Sequence, residues 1–198
     1  RLTLCRAASE GHKSALGQFL TPAPAARFMA SLFEPRAVSS IHLLDAGAGI
    51  GTLSAAWVAE VCGWMHRPRE VTVTAFEIDA SLVAHLHETF RQCAAACDHV
   101  GITFRSEIRQ EDFIRAGVGM IRDGLFAPAH ERFDYAILNP PYRKIHGTSE
   151  ARRLLRSIGI ETSNLYSGFL SLVVQLLNPG GELVAITPRS FCNGPYFC

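Results

Sequence analysis

Short apolar segments alternate with helical segments along most of the chain, and this alternation constrains the fold more than any other feature. Segments rich in β-branched or aromatic residues predict strands at 41–44, 71–76, 102–104, 133–138 and 182–187. Between them, apolar residues recur at helical spacing, as in Leu82, Leu86 and Phe90. Strands that alternate with helices in this way predict an α/β domain built on a mainly parallel sheet.

A separate helix is predicted before the first strand, over residues 22–32. Thr21 is a suitable N-cap, and Pro22 fits the first helical position, where the missing N–H costs nothing. The apolar side of this helix is expected to consist of Phe28, Met29, Leu32 and Phe33.

The composition is that of a globular protein rather than a disordered or membrane-embedded one. The 198 residues are 48% hydrophobic and 19% charged, which provides enough apolar material for a core. The apolar runs are short and interrupted by Gly, Pro or charge, so none spans a bilayer and none looks like a signal peptide. We therefore expect one domain in the cytoplasm, without a membrane partner.

The six cysteines do not form a metal-binding motif. No CxxC pair occurs, and Cys93 and Cys97 with His99 lack a second ligand pair at zinc-finger spacing. Because Cys93 and Cys97 lie one helical turn apart beside several alanines, we expect buried, reduced thiols and no bound metal.

A glycine-rich loop follows the first predicted strand, at the edge where open α/β sheets bind their ligands. The loop reads Asp45-Ala46-Gly47-Ala48-Gly49-Ile50-Gly51-Thr52, and its glycines allow tight turns and a close approach by a ligand. It departs from the dinucleotide fingerprint GxGxxG, because Thr52 stands where the third glycine would be. Asp45 adds a carboxylate that repels phosphate and attracts an ammonium or hydroxyl group. The pattern favours an uncharged or cationic nucleoside over a pyrophosphate.

Carboxylates also follow the second and third predicted strands. Glu77 ends the second strand, where a carboxylate can accept both hydroxyls of a ribose, whereas Asp79 is expected to cap the next helix. After the third strand, Asp112 can accept a hydrogen bond from an adenine amino group, and Phe113 can cover the ring. The alternative for this pair is a loop acid and a core phenylalanine. Together with the glycine loop, these residues predict a nucleoside site at the carboxyl ends of the strands.

The most specific motif, Asn139-Pro140-Pro141-Tyr142, follows the fourth predicted strand. A residue before proline is forced into an extended conformation, and proline lacks an N–H, so this loop presents oxygen acceptors without competing donors. The Asn139 side-chain oxygen and the Pro140 carbonyl can face one point, which suits an –NH₂ group that donates two hydrogen bonds. Tyr142 offers a flat face to a planar ring. We therefore predict a site that binds an exocyclic amine.

In these motifs the chain resembles the S-adenosylmethionine-dependent amino-methyltransferases that act on DNA. It is most similar to the gamma class of adenine-N6 enzymes of bacterial restriction–modification systems, over about residues 14–198. The order of the motifs supports this class, since Gly17-Gln18-Phe19-Leu20-Thr21-Pro22 resembles the family's cofactor motif placed ahead of the glycine loop. The resemblance implies a Rossmann-like class I methyltransferase fold, with a mainly parallel, twisted sheet and helices on both faces.

The resemblance also implies a role for each motif. The catalytic tetrapeptide, which would accept hydrogen bonds from the adenine N6 amine, is Asn139, Pro140, Pro141 and Tyr142. The cofactor S-adenosylmethionine would be bound by Gln18, Phe19, Thr21, Asp45, Gly47, Gly49, Glu77, Ile78, Asp112, Phe113 and Asn139. Thr21 and its neighbours would hold the methionine end of this cofactor.

The expected macromolecular substrate is double-stranded DNA with its target adenine flipped out of the helix. Tyr142 would stack on the flipped base, and Phe197 would supply a second aromatic ring. The basic stretch that follows Tyr142 is placed to meet phosphates, with Arg143, Lys144, Arg152 and Arg153 as the expected contacts.

The expected organisation is one methyltransferase catalytic domain over residues 1–198. Residues 1–36 would form an N-terminal helical segment with the upstream cofactor motif, and residues 37–198 a Rossmann-like core. The closing β-hairpin of the family's sheet and its target-recognition domain would follow residue 198, so a catalytic-domain fragment is expected. A cognate restriction endonuclease or nuclease domain is a candidate partner.

Three other functions remain open on the residues alone. Enzymes that methylate glutamine side chains in protein release factors resemble this chain in using Asn-Pro-Pro-Tyr, because an amide –NH₂ presents similar donors, and some RNA methyltransferases use related tetrapeptides. A non-catalytic nucleic-acid-binding subunit with a methyltransferase fold is the alternative from another class. The upstream motif and the basic stretch favour DNA as the substrate.

Overall fold

The computed structural model describes residues 20–123 and 131–189, and its centre is a five-stranded sheet. The strands are β1 (Ser40–Ala46), β2 (Glu70–Phe76), β3 (Thr103–Arg109), β4 (Phe133–Leu138) and β5 (Leu177–Ala185). Their order across the sheet is β3-β2-β1-β4-β5, and each neighbouring pair is parallel. The predicted α/β class and parallel sheet are therefore confirmed.

Helices cover both faces of this sheet. In the described part of the chain they are α1 (Ala23–Ala30), α2 (Thr52–Gly63), α3 (Ala80–His99), α4 (Phe113–Asp123), α5 (Glu150–Arg156) and α6 (Leu165–Leu176). Because side chains alternate along a strand, Leu43 and Val73 face a core built with α1, α2 and α3. Leu44 and Phe76 face the opposite way, into a second core built with α4, α5 and α6.

The strand order reverses between β1 and β4, and this reversal positions the candidate site. β1 pairs with β2 on one side, as Asp45 with Ala75, and with β4 on the other, as Leu43 with Tyr135. A cleft forms at such a point, beyond the carboxyl ends of the strands. The glycine loop after β1 and the tetrapeptide after β4 both leave the sheet here, so the topology alone brings these two motifs together.

The predicted buried face of the first helix is confirmed at Met29 and Phe33 and wrong at Phe28 and Leu32. Phe28 and Leu32 are 65% and 52% exposed, whereas the buried positions are Ala26, Met29, Ala30 and Phe33. The buried stripe repeats every three to four residues, and Phe28 and Leu32 fall outside it. Thr21 is also not the N-cap, because Pro22 occupies that position and no side chain caps the helix.

The structure agrees with the predicted positions of the strands more closely than with their predicted lengths. The fourth strand has the predicted bounds, Phe133–Leu138, because five of its six residues are apolar or aromatic and a pair of prolines follows soon after it. β3 is longer than predicted because it is an edge strand with mostly exposed, polar residues, which give a weak signal. β5 begins at Leu177 and ends at Ala185, two residues before the predicted end.

The cysteines of α3 lie in the core, as expected. Cys93 and Cys97 are buried, and this burial raises the pKa of both thiols to about 12. Over residues 20–123 and 131–189, no group of three or more His, Cys, Asp or Glu side chains is placed to hold a metal ion. No helix in the same two ranges is both long and apolar enough to cross a membrane.

Candidate functional site

A cleft opens between the carboxyl ends of β1 and β4. Three separate stretches of sequence meet in its wall, which consists of Leu20, Thr21, Gly47, Ala48, Gly49, Thr52, Leu53 and Asn139. These are the residues before α1, the glycine loop with the start of α2, and the first residue of the tetrapeptide. The structure thus brings Thr21, Gly47, Gly49 and Asn139, all predicted site residues, into one cleft.

The glycine loop is held to the sheet by its own backbone. The N–H groups of Gly47 and Ala48 both donate to the carbonyl oxygen of Phe76, at 2.9 Å each. Gly49 has a φ of +59°, which favours glycine, and a Cβ there would lie 3.5 Å from Leu20 Cδ2. A side chain at Gly49 would therefore narrow the cleft, so glycine keeps the space for a ligand.

Glu77, at the end of β2, holds the glycine loop from the other side. The side chain is buried, its Oε2 accepts from the Gly49 N–H at 2.8 Å, and its Oε1 accepts from the Asp79 N–H at 2.8 Å. Burial raises the pKa of this carboxyl above its usual value. A carboxylate has further lone pairs, so the predicted ribose contact stays a prediction alongside this observed role.

Asp45 is completely buried where β1 enters the loop, and it does not line the cleft. Its Oδ2 accepts from Ser54 Oγ at 2.6 Å, while its Oδ1 has no hydrogen-bond partner among the described residues. Burial raises the pKa of this carboxyl to about 7, and the nearby charge of Glu77 acts in the same direction. The predicted contact of Asp45 with the cofactor therefore stays a prediction.

The amide of Asn139 is held between two hydroxyl groups. Its Nδ2 donates to Thr21 Oγ1 at 3.2 Å, and its Oδ1 accepts from the Tyr142 hydroxyl at 2.7 Å. The same Tyr142 hydroxyl lies 3.1 Å from the carbonyl oxygen of Ile186, a second acceptor. Burial raises the pKa of Tyr142, so this phenol remains a protonated donor near neutral pH. The network presents a neutral, oriented oxygen acceptor beside the cleft.

The residues predicted to surround an adenine ring lie farther along the same edge. Ile78, which was also predicted to bind the cofactor, is 54% exposed, and its contact with a ligand stays a prediction. Asp112 is exposed and its Oδ1 accepts from the Arg115 N–H at 3.0 Å, at the start of α4. Phe113 is buried, with its ring centroid 5.1 Å from that of Phe76. The structure therefore gives Asp112 and Phe113 capping and core contacts, and their contact with a nucleoside stays a prediction.

The basic stretch after Tyr142 divides into paired and exposed cations. Arg152 is only 18% exposed and forms an ion pair with Glu161, and Arg156 pairs with the same carboxylate at 2.8 Å. Arg143, Lys144 and Arg153 are exposed. The exposed groups are the ones placed to meet an anionic partner without breaking an ion pair.

Arg143 and Lys144 lie on a short paired segment next to the tetrapeptide. Lys144 forms an antiparallel bridge with Asn164, and the Leu165 N–H donates to the Arg143 carbonyl at 2.9 Å. This pairing brings the ring of Tyr166 to 6.3 Å from that of Tyr142, centroid to centroid. Sequence reasoning did not single out Tyr166, because it lies 24 positions after Tyr142 and only folding brings the two rings together.

Three predicted site residues lie outside the described part of the chain: Gln18, Phe19 and Phe197. Sequence reasoning did not assign a site role to Leu20, Thr52 or Leu53, which also line the cleft. Leu20 and Thr52 lie inside motifs that it identified, and Leu53 directly follows one of them.

Known proteins match this chain over most of its length. It is 45% identical to the type II methyltransferase M.BsuBI of Bacillus subtilis over 188 residues, which are 94% of this chain and 36% of that protein. It is 41% identical to the type II methyltransferase M.PstI of Providencia stuartii over 185 residues, which are 93% of this chain and 35% of that protein. The chain therefore spans about a third of the length of these curated relatives.

A solved structure shares the fold. It is a Listeria monocytogenes protein assigned as a class I S-adenosylmethionine-dependent methyltransferase, with a TM-score of 0.60 and 16% identity, covering 92% of this chain and 50% of that one. At this identity the likeness shows the fold alone, and it confirms the predicted Rossmann-like class I methyltransferase fold.

Residues 77–197, more than half of the chain, match the family described as Eco57I restriction-modification methylase. This match confirms the predicted family, and the chain belongs to the Eco57I restriction-modification methylases.

Proposed function

We propose that the full-length protein transfers a methyl group from S-adenosylmethionine to the N6 amine of an adenine in DNA. The observation that carries this proposal is the position of Asn139, whose amide lines the same cleft as the glycine loop and is oriented by two hydroxyl groups. A neutral amine acceptor next to a nucleoside cleft is the arrangement that an amino-methyltransferase requires. Family membership supports the restriction–modification setting.

The residues of the cleft fit a nucleoside with a cationic tail. The described lining contains no Lys or Arg, and the buried carboxyls of Asp45 and Glu77 lie at the carboxyl ends of β1 and β2. A site of this kind repels phosphate and favours ammonium or sulfonium groups. Gly47, Gly49 and Thr21 would hold the amino-acid end, with Glu77 on the ribose and Ile78, Asp112 and Phe113 around the adenine. S-adenosylmethionine, when bound, supplies an electrophilic methyl group on its sulfonium.

The tetrapeptide would activate the target amine by accepting hydrogen bonds. The lone pair of an adenine amine is delocalised into the ring, so the nitrogen is a poor nucleophile. Asn139 Oδ1 and the Pro140 carbonyl would accept from both N–H bonds and raise the electron density on nitrogen. These bonds strengthen as the nitrogen becomes cationic, so they stabilise the transition state more than the ground state. Because Pro140 and Pro141 have no N–H, no donor from either competes for these acceptors.

DNA binding would place the flipped adenine against the tetrapeptide. An adenine in a duplex cannot reach the cleft, so it must leave the stack and lie on the ring of Tyr142. We assign the main phosphate contacts to the exposed Arg143, Lys144 and Arg153, since Arg152 is already paired with Glu161. We further propose that residues 1–198 form the catalytic domain, and that the protein works in the cytoplasm with a cognate restriction endonuclease.

A transfer assay on the full-length protein tests this function. Labelled S-adenosylmethionine is offered with DNA, RNA and a protein release factor in parallel, and the modified base is identified by mass spectrometry and located by sequencing. We expect label in DNA alone, as N6-methyladenine within one short sequence. Label in RNA or release factor instead, or in a cytosine, would contradict the proposal.

A further inference from the structure

The hydroxyl of Thr21 lies between the cleft and the tetrapeptide amide. Thr21 lines the cleft with Gly47 and Gly49, and its Oγ1 accepts from Asn139 Nδ2 at 3.2 Å. Pro22 is the N-cap of α1 and no side chain caps that helix, so the hydroxyl of Thr21 has no capping role. Thr21 therefore contacts both the space for a ligand and the predicted acceptor of the target amine.

The single proton of the Thr21 hydroxyl links the cleft to the amide of Asn139. A hydroxyl has one proton, so Thr21 can donate either into the cleft or to the amide, but not to both. While it donates into the cleft, its oxygen can only accept from Asn139. This keeps Nδ2 on the Thr21 side and Oδ1 on the side of Tyr142, as observed.

The opposite amide orientation is also compatible with these two hydroxyls. Thr21 could donate to Oδ1 of a flipped amide. The Tyr142 hydroxyl could then donate to the Ile186 carbonyl oxygen, 3.1 Å away, and its own oxygen could accept from Asn139 Nδ2. In that orientation the amide would present N–H groups to the target amine, and the two donors would repel. What occupies the cleft therefore decides which end of Asn139 the amine meets.

We propose that Thr21 is a positioning residue that relays the occupancy of the cofactor cleft to the amide of Asn139. The inference rests on the proposed function, in which Thr21 holds the methionine end of the cofactor and its carboxylate accepts the Thr21 proton. With that proton held in the cleft, Asn139 Oδ1 stays available to an amine N–H. The consequence is positive cooperativity between the cofactor and the flipped adenine.

A thermodynamic cycle on the full-length protein tests the relay. The probes are S-adenosylhomocysteine, which has the same amino-acid end but no transferable methyl, and a labelled duplex carrying the sequence found in the transfer assay. In the wild type we expect S-adenosylhomocysteine to raise duplex affinity at least about fivefold. Thr21→Ser keeps the hydroxyl and should keep this coupling, whereas Thr21→Val keeps the shape and should reduce it to less than about twofold. Each concentration is set above the variant's own Kd, so that weaker binding does not conceal coupling.

A control duplex that lacks only the target amine tests whether the coupling acts through that amine. When purine, which lacks the 6-amino group, replaces the target adenine, the wild type and Thr21→Val should show the same coupling. A difference that persists on this duplex would overturn the relay, because Asn139 would then have no amine to meet. Full coupling in Thr21→Val on the adenine duplex would overturn it too, and would leave Thr21 as a cofactor ligand only.

A second measurement needs no DNA. With ¹⁵N-asparagine labelling, the side-chain –NH₂ signal of Asn139 is identified by its loss in Asn139→Ala. S-adenosylhomocysteine should shift this signal in the wild type and in Thr21→Ser but not in Thr21→Val, and an equal shift in Thr21→Val would refute the relay. If the signal responds as expected while no DNA is methylated, the proposed function fails and the relay stands.

Discussion

The ends of β1 and β4 are neighbours in the sheet, but they present polar groups of opposite character. The next-to-last residue of β1 is Asp45, a completely buried carboxyl whose pKa is raised to about 7 and whose Oδ1 has no partner among the described residues. β4 leads to Asn139, a neutral amide with a hydroxyl at each end. Behind the β1 side of the cleft therefore lies a charge that depends on pH, whereas the β4 side presents an amide whose orientation depends on hydrogen bonds. We expect cofactor affinity to depend on the charge of Asp45, and the rate of methyl transfer to depend on the orientation of the Asn139 amide.

Removing the Asn139 amide should produce the largest effect, and it should distinguish the role of the β4 side of the cleft from that of the glycine loop. Asn139→Ala deletes the oxygen that binds the amine in the transition state, so we expect kcat to fall about 10²–10³-fold. Cofactor affinity should change only a few-fold, because the wall formed by the glycine loop is intact. Initial rates and calorimetry with S-adenosylhomocysteine measure the two quantities. A rate within a few-fold of wild type would show that the β4 end does not carry the chemistry.

Distorting the wall at β1 should instead cost folding stability. Gly51, the N-cap of α2, has a φ of +81°, and a Cβ there would lie 2.7 Å from Leu86 Cδ1 and 3.1 Å from Thr89 Cγ2. Gly51→Ala should therefore lower the free energy of unfolding by about 1–3 kcal/mol. The matched control is Gly63→Ala at the end of the same helix, where a Cβ would meet nothing within 4 Å. Denaturant unfolding should show Gly63→Ala at or slightly above wild type, and equal losses in both would exclude the steric explanation.

Removing the charge from the β1 wall should change cofactor affinity and its pH dependence. A raised pKa means that Asp45 is mostly protonated below about pH 7 and ionised above it. Because the proposed ligand is cationic, its affinity should rise as pH increases from 6 to 8, with release of a proton on binding. Asp45→Asn should lower affinity about tenfold at pH 8, while Ser54 can still donate to the remaining oxygen.

Calorimetry across this pH range, in buffers of different ionisation enthalpy, measures both the affinity and the released proton. In Asp45→Asn the affinity should be nearly independent of pH. A wild-type curve that is equally flat would mean that the buried carboxyl has no electrostatic contact with the ligand.

The pH dependence of folding stability should have the opposite sign to the pH dependence of cofactor affinity. The pKa of Asp45 is raised from 3.8 to about 7, so between these values the folded protein holds a proton that the unfolded chain has lost. Stability from this group is therefore present at low pH and declines as pH rises through that window. Without ligand, Asp45→Asn should show a smaller decline in unfolding free energy from pH 5 to 7 than the wild type, and identical slopes would count against a raised pKa.

The overall fold could be predicted because strand and helix periodicity are local properties of sequence. Phe133–Leu138 was placed correctly because five of its six residues are apolar or aromatic and a pair of prolines follows soon after the strand. The exposed Phe28 and Leu32 show the limit, since which stripe of a short helix is buried depends on where the rest of the protein lies. β3 shows another limit, because an edge strand does not need the apolar pattern that marks a central one.

The candidate site could be predicted at the level of motifs but not of contacts. The carboxyl ends of adjacent parallel strands must meet, so the joining of Gly49 and Asn139 in one cleft follows from topology. The bond from Gly49 to Glu77 joins residues 28 positions apart, and that from Asn139 to Thr21 joins residues 118 positions apart. Such pairs depend on the final packing of loops, for which a single sequence contains no periodic signal.

The smallest expected effect concerns the cations outside the neutral β4 wall. If Arg143 and Lys144 meet phosphates, the double variant Arg143→Gln/Lys144→Gln should flatten the slope of log K for DNA against log salt by about 2. The control is Arg156→Gln on the same basic stretch, where the cation is paired with Glu161 and the slope should stay within experimental error. Because base recognition involves other groups, the double variant should lose affinity for matched and unrelated duplexes alike. A loss confined to the matched duplex would mean that these side chains contact bases, and equal slopes in all three proteins would place the phosphate contacts elsewhere.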